Sequence, residues 1–195
     1  MPDDRGEPLV LPTPVSRRVD DGLFDARTVV ISGGIDQDLA GSVIARLTAL
    51  AAASDDDITV VVNSPGGHVE SGDTIHDFVR FVTPRVRMLG TGWVASAGAL
   101  IYVAVPREDR FCLPNTRFLL HEPSGGMRGV GSDIEIEAEQ ILQMRDRLVR
   151  LWARGTGQPV ERVREDVRRN FWLDAEAALE YGLVGRIIES AAEVG

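Results

Sequence analysis

Residues 58–67 read ITVVVNSPGG, and this stretch indicates the fold more directly than any other part of the chain. Its first five residues form a continuous, mostly β-branched run, which is typical of a strand buried on both faces. The NSPGG segment that follows predicts a tight turn, because glycine adopts a positive φ without steric cost. A helical pattern begins soon after the turn, at about Glu70, and ends before Pro84. The stretch therefore predicts a buried strand, a turn and a helix in succession.

The same alternation continues on both sides of this unit. Further strands are expected over 28–32, 86–89, 111–113, 116–120, 171–173 and 184–188, and further helices over about 36–53, 96–103, 133–154, 159–169 and 174–182. Alternating strands and helices predict an α/β fold with repeated strand–strand–helix units. Residues 1–20 contain four prolines and no periodicity. We therefore expect residues 1–25 to form an N-terminal arm, flexible or ordered by a partner, and residues 26–195 to form one domain.

Composition restricts the classes of function. The 195 residues suit one domain, and the net charge of −9 argues against a nucleic-acid surface. No run of about 18 apolar residues predicts a membrane span, and residues 1–7 lack the apolar core of a signal peptide. Cys112 is the single cysteine of the chain, so no internal disulfide is possible. A reducing, cytoplasmic location is the interpretation that fits best.

A single hydroxyl lies among small residues in GWVASAGA, residues 92–99. Ser96 falls where a strand is expected to turn into a helix, so its hydroxyl can project and the N–H of Ala97 can point at an anion. The alternative is that Ser96 only permits close packing of helix and sheet. His121 follows at the end of an apolar strand, and a serine nucleophile needs such a base. Ser96 and His121 are therefore the candidate nucleophile and base.

The sequence gives weaker evidence of a functional role for the diglycine turn and for the other two histidines. Gly67 could present its N–H to an oxyanion together with Ala97, although a simple tight turn is equally compatible with the pattern. His68 could contact substrate, with a plain surface position as the alternative, and His76 is expected to be structural. The histidines have no metal-ligand spacing, so no metal is expected. Gly33 and Gly34 do not fit a dinucleotide-binding pattern.

In their order and spacing, five stretches of the chain resemble the proteolytic subunit of the caseinolytic (Clp) protease family. They are NSPGG at 63–67, ASAGA at 95–99, HEPSGG at 121–126, DIEI at 133–136 and EYGLV at 180–184. The resemblance implies a crotonase-like ββα superhelix and a Ser-His-Asp triad that cleaves unfolded polypeptides. It also implies seven-membered rings stacked in pairs and a hexameric AAA+ ATPase as partner. No cofactor is implied for this chain, since ATP is used only by the ATPase.

The family pattern assigns a role to several residues of this sequence. Ser96 would attack the peptide and His121 would accept its proton, with Gly67 and Ala97 as the oxyanion hole. Gly125 and Gly126 would pair with an extended substrate by β-addition. Residues 122–155 would form the handle through which paired rings meet.

The chain also departs from this pattern. Asn170 falls where the family has the triad aspartate, and Asp166 and Asp174 are the nearest carboxylate alternatives. Phe171 replaces an arginine that connects rings, and residues 60–62 lack the aromatic side chains of the ATPase-docking pocket. We therefore keep three hypotheses: a competent serine endopeptidase, a weakly active subunit that works in a hetero-oligomer with a paralogue, and an acyl-CoA hydratase or isomerase of the same fold.

Overall fold

The computed structural model describes residues 14–123 and 131–194 of the chain. The helices are α1 (Pro14–Asp25), α2 (Gln37–Ala53), α3 (Val69–Phe81), α4 (Ala97–Tyr102), α5 (Gly131–Thr156), α6 (Val160–Asp166) and α7 (Ala175–Tyr181). The strands are β1 (Thr28–Ser32), β2 (Ile58–Ser64), β3 (Val86–Ala95), β4 (Arg110–Cys112), β5 (Arg117–Leu120), β6 (Phe171–Leu173) and β7 (Arg186–Ile187). The strict alternation of strand and helix up to α4 confirms the α/β class predicted from the sequence.

The strands form one mainly parallel sheet that divides along β3. Strands β1, β2, β3, β4 and β7 lie side by side in that order, all parallel. The first half of β3, at Met88 to Gly90, pairs with β4, whereas its last residues, Trp93 to Ala95, pair with β5. Strand β6 adds to the outer side of β5 in the antiparallel sense. Strand β3 therefore belongs to two groups of strands: its first half lies between β2 and β4, and its last residues pair with β5, to which β6 is added.

Helix α4 lies at the centre of the core. All of its residues are buried, and it packs against α3 and β3. Tyr102 at its end is fully buried, and its hydroxyl donates to the carbonyl oxygen of Phe111 at 2.7 Å, which satisfies the polar group inside the core. Burial of one large apolar side chain contributes roughly 1.5–3 kcal/mol to folding stability. The buried side chains of α4 therefore hold the end of β3 firmly in place.

The structure differs from the sequence-based expectation in three elements. Residues 14–25 form α1, a helix that was not predicted within the stretch 1–25 expected to be an arm, flexible or ordered by a partner; Pro14 is tolerated because the first N–H of a helix needs no partner. Residues 1–13 lie outside the described part of the chain. Strand β3 continues to Ala95 through a bend at Gly92, whose φ is +60°. Strand β2 is fully buried on one face only, and its other face is half-buried.

The handle predicted over 122–155 is described in part. Glu122 and Pro123 follow β5, residues 124–130 lie outside the description, and α5 spans the remainder of that region. In the two described stretches, no helix combines the length and the apolar character that a membrane crossing requires.

Candidate active site

Ser96 occupies a strained backbone position between β3 and α4. Its φ is +55° and its ψ is −117°, a conformation that residues other than glycine rarely adopt. Strain of this kind costs of order 1–3 kcal/mol and persists only where the surroundings enforce it. Here the Ser96 N–H donates to the carbonyl oxygen of Leu119 at 2.9 Å, which ties the residue to β5. The half-buried Ser96 side chain therefore stands at a sharp strand-to-helix turn, as the sequence predicted.

The diglycine turn after β2 packs directly onto Ser96. A Cβ atom at Gly66 would lie 2.6 Å from the Ser96 Cβ and 2.9 Å from the carbonyl oxygen of Ala95. Contacts of that length do not occur between real side chains, so this position requires glycine. The close approach brings the backbone of the turn beside the serine.

Two backbone N–H groups next to Ser96 are free to bind a ligand. The Gly66 carbonyl accepts from the N–H of Ile35 at 2.9 Å, and the trans peptide therefore directs the Gly67 N–H away from Ile35. Ala97 is the first residue of α4, where an N–H has no partner within the helix. Within residues 14–123 and 131–194, neither N–H donates to a protein acceptor.

Strand pairing places His121 opposite Asn170. In the antiparallel β5–β6 ladder, Leu119 lies opposite Trp172 and Leu120 lies opposite Phe171. Continuing this register by one residue sets His121 against Asn170, and directly opposed residues have Cβ atoms about 4.5–5.5 Å apart. Both residues line the same open cavity of 440 Å³.

Strand pairing also places His121 one residue beyond the level of the serine. In the parallel β3–β5 ladder, Ala95 lies beside Leu119, so Ser96 and Ala97 continue level with Leu120 and His121. Ser96, His121 and Asn170 thus lie just beyond the ends of three adjacent strands. Among the described residues, however, no hydrogen bond joins the three side chains. The structure therefore brings the predicted residues together without aligning them into a hydrogen-bonded triad.

Burial shifts the acid–base chemistry of two groups. Desolvation lowers the pKa of His121 below its ordinary value of 6.5, so the imidazole is neutral at pH 7 and able to accept a proton. Cys112 is fully buried, and burial raises the pKa of its thiol to about 12. Because the thiolate is the reactive form, Cys112 is not a competing nucleophile, in agreement with the sequence analysis.

The two alternative carboxylates are engaged elsewhere. Asp166 accepts a hydrogen bond from the Tyr181 hydroxyl at 2.8 Å, and Asp174 accepts one from the Ala177 N–H at 2.9 Å, where it caps α7. Neither has a recorded contact with His121 in the described part of the chain. Asn170 is therefore the polar residue that the β5–β6 register sets opposite His121.

The other predicted site residues differ in how the structure places them. His68 caps α3, and its ring nitrogens lie 3.0 Å from the Ser71 hydroxyl and 3.1 Å from the Glu70 carboxylate, so its own helix holds it. His76 is buried beside Asp77, which agrees with a structural role. Gly125 and Gly126 lie outside the described residues. In the described stretches, no group of three His, Cys, Asp or Glu side chains could hold a metal ion.

The sequence analysis missed an aromatic cluster beside the site. The rings of Trp93 and Trp172 stack with centroids 6.5 Å apart, and the guanidinium of Arg117 lies 4.4 Å from the Trp172 ring centre. Because strand side chains alternate between faces, Trp172 and Asn170 share one face of β6, and Arg117 and His121 share one face of β5. Both tryptophans are exposed. Their positions, three residues before Ser96 and two after Asn170, were the available signal.

Comparison with known protein families gives one match over most of the chain. The family model described as Clp protease matches residues 15–191. The ATP-dependent Clp protease proteolytic subunit 3 of Rhizobium etli is 56% identical over 194 residues and covers 100% of both chains. The ATP-dependent Clp protease proteolytic subunit 2 of Pseudomonas aeruginosa is 55% identical over 168 residues, which is 86% of this chain and 84% of the relative.

Solved structures agree with this match. ClpP1 from Listeria monocytogenes has a TM-score of 0.82 at 46% identity, over 91% of this chain and 99% of that one. An asparagine-to-aspartate mutant of the same ClpP1 has a TM-score of 0.85 at 48% identity with the same coverage. The predicted fold, the crotonase-like superhelix of Clp proteases, is therefore confirmed.

Proposed function

The chain belongs to the Clp protease family, a family of serine-type peptidases that form ring assemblies and work with Clp ATPases, and from this premise we propose that Ser96, His121 and Asn170 carry out the peptide cleavage. One observation carries the proposal. The continued registers of β3, β5 and β6 bring these three residues to one edge of the sheet. Nothing in the comparisons supports the hydratase or isomerase hypothesis.

In the proposed reaction, the Ser96 hydroxyl attacks the carbonyl carbon of the scissile peptide. The neutral His121 imidazole accepts the hydroxyl proton as the bond forms, and it later donates that proton to the leaving amine. Water then hydrolyses the acyl-enzyme with the same imidazole as base. The His121 base therefore ends each cycle neutral, and the reaction needs no cofactor in this chain.

The Gly67 and Ala97 N–H groups are proposed to bind the oxyanion that forms during attack. Both lie beside Ser96, and both lack a protein acceptor within the described residues. Loss of one such donor costs about 2.7–4 kcal/mol of transition-state stabilisation in a serine protease. Gly125 and Gly126 are proposed to pair with the extended substrate, and His68 to lie at the rim of the substrate path.

Asn170 is proposed to orient His121 through its amide oxygen. An amide fixes the ring but carries no negative charge, so it stabilises imidazolium less than a carboxylate does. This weaker support and the lack of a hydrogen-bonded triad in the described residues favour a second candidate function. In that function the chain is a weakly active subunit, and contact with a Clp paralogue aligns its site.

For the assembly we propose seven-membered rings, stacked in pairs through the handle that includes α5, with a hexameric AAA+ ATPase as partner in the cytoplasm. Docking of the ATPase is expected to be weak. Val60 and Val62 are fully buried in the core, so β2 offers only the half-buried Thr59, Val61 and Asn63 to a docking loop, and none of these is aromatic.

The test is labelling with a fluorophosphonate followed by peptide mapping. We expect the label on Ser96, and we expect Ser96→Ala to abolish hydrolysis of a fluorogenic peptide while the ring still forms. Addition of a purified Clp paralogue distinguishes the two candidate functions. Full turnover by this chain alone supports the competent peptidase, and turnover only in the mixture supports the partner-dependent subunit. A label on any other residue contradicts both.

A further inference from the structure

A second cavity, with the same volume of 440 Å³, is unusually rich in cations. Four guanidinium groups line it, together with the imidazole of His76; they are Arg80, Arg107, Arg110 and Arg154. Among the described residues that line this arginine cavity, none is Asp or Glu. The whole chain carries a net charge of −9, so this cluster is a local exception to its surface.

Arg110 is the buried member of the cluster. It is 2% exposed, and its two Nη atoms donate to the carbonyl oxygens of Leu183 at 2.9 Å and Gly155 at 2.6 Å. Its Nε–H has no acceptor within the described residues. Burial lowers the pKa of Arg110 to about 10, which is the expected effect of a buried cation whose hydrogen bonds go to neutral groups.

The other arginines also lack a carboxylate partner. Arg80 donates to the carbonyl oxygen of Ala104, and Arg107 donates to those of Val184 and Leu179. Over residues 14–123 and 131–194, none of the four arginines forms an ion pair with Asp or Glu.

The carboxylates near the arginine cavity either pair with other residues or are exposed to solvent. Asp109 pairs with Arg85, Asp77 pairs with His76, and Glu108 is exposed and acts on Arg110 only at longer range. The positive charge of the arginine cavity is therefore not balanced by the residues around it.

We propose that the arginine cavity binds a small phosphate-bearing molecule. Guanidinium groups match phosphate oxygens through paired N–H donors, and several of them balance a multiply charged group better than a single carboxylate would. A volume of 440 Å³ lies within the usual range for small-molecule sites. The apolar wall formed by Val103, Val105 and Leu151 provides room for a carbon skeleton next to the phosphate.

The site is separate from the serine, since it is built from the ends of α3, α4 and α5 and from the residues leading into β4. Arg110 connects this region to Gly155 near the end of α5 and to Leu183 after α7. A ligand held there would contact the segment that closes α5. Binding at this site does not depend on the peptidase assignment.

The experiment is calorimetric titration of the full chain with inorganic pyrophosphate, with sodium chloride at matched ionic strength as reference. Arg154→Gln removes an exposed arginine of the cavity, so the variant is expected to fold. We expect it to weaken pyrophosphate binding about tenfold, the usual effect of one charge-assisted hydrogen bond. Arg80→Gln should have a similar effect.

Arg150→Gln is the matched control. It makes the same change one turn earlier on α5, in a residue that lines a different cavity, and it should change binding less than twofold. Three results overturn the proposal: no pyrophosphate binding beyond that of chloride, equal weakening by Arg154→Gln and Arg150→Gln, or a structure of the assembly in which a carboxylate from a neighbouring copy fills the arginine cavity in the presence of pyrophosphate.

Discussion

Asn170→Asp tests the geometry of the site because it adds one negative charge directly opposite His121. With Cβ atoms about 5 Å apart, a carboxylate and an imidazolium attract each other by about 3 kcal/mol at an effective dielectric constant of 20. The site is half exposed, so solvent screening reduces this gain. We therefore expect the pKa of His121 to be higher in the variant, because the added carboxylate favours the charged imidazolium.

The same charge should accelerate the reaction. The reverse change in a chymotrypsin-type site lowers kcat about 10⁴-fold, and a smaller effect is expected where solvent reaches the pair. We expect Asn170→Asp to raise kcat/KM about ten- to hundredfold on the high-pH plateau of each protein's profile, where the imidazole is neutral. The assay is hydrolysis of a fluorogenic peptide, together with the pH dependence of fluorophosphonate labelling at Ser96.

Asn115→Asp is the matched control for this experiment. Asn115 lies two residues before β5, so the length of the strand separates it from His121 by roughly 20 Å. The control makes the same chemical change and should leave both the pKa and the rate unchanged. If Asn170→Asp and Asn115→Asp gave the same His121 pKa, the register that places residue 170 opposite the imidazole would be refuted.

Four further outcomes follow from the structure. Ser96→Gly should raise stability to urea by about 1 kcal/mol while it abolishes hydrolysis, because glycine relieves the positive φ; unchanged stability would mean that the turn is not strained. Gly66→Ala should lower stability by about 2 kcal/mol or more and remove Ser96 labelling, because the added methyl group meets the Ser96 Cβ and the carbonyl oxygen of Ala95; normal labelling would contradict the packing. Labelling of Ser96 should reach half of its maximum at a pH below 6.5, since burial lowers the pKa of His121 and protonation removes the base; the same depressed pKa makes stability fall as the pH drops below 6.5, and a midpoint at or above pH 6.5 would contradict the burial of the imidazole. Trp172→Ala should cost about 1–2 kcal/mol in urea denaturation through loss of the stack on Trp93, and a neutral result would show that the stack adds nothing to stability.

Local sequence patterns predicted most of the elements that hold the serine. The helix predicted over about 36–53 is α2, and it begins where the short acidic side chain of Asp36 accepts from the Leu39 N–H at 2.8 Å. Ser96 at its turn was expected because small residues surround it. These features depend on residues that are adjacent in the chain, so they can be read from the sequence without a structure.

The missed features depend on contacts between distant residues. The strand predicted over 86–89 continues to Ala95, because pairing with β4 and β5 extends it. Helix α1 was not predicted, because the four prolines before residue 15 are untypical of a helix interior. The four arginines of the cavity come from separate elements, and no periodicity links them. Residue 170 was assigned by family resemblance, and only the β5–β6 register explains in physical terms why it faces His121.

Within the described part of the chain, strand β6 pairs only with β5, and it has three residues, so few hydrogen bonds hold it to the edge of the sheet. Short edge segments detach at a small fraction of the global unfolding free energy. Ser96 and Ala97 adjoin the buried centre, whereas Asn170, the residue proposed to orient the imidazole, directly precedes this short edge strand. Transient detachment of β6 would lower the activity reversibly while the core stayed folded. Amide hydrogen exchange over residues 171–173 would measure how often β6 detaches.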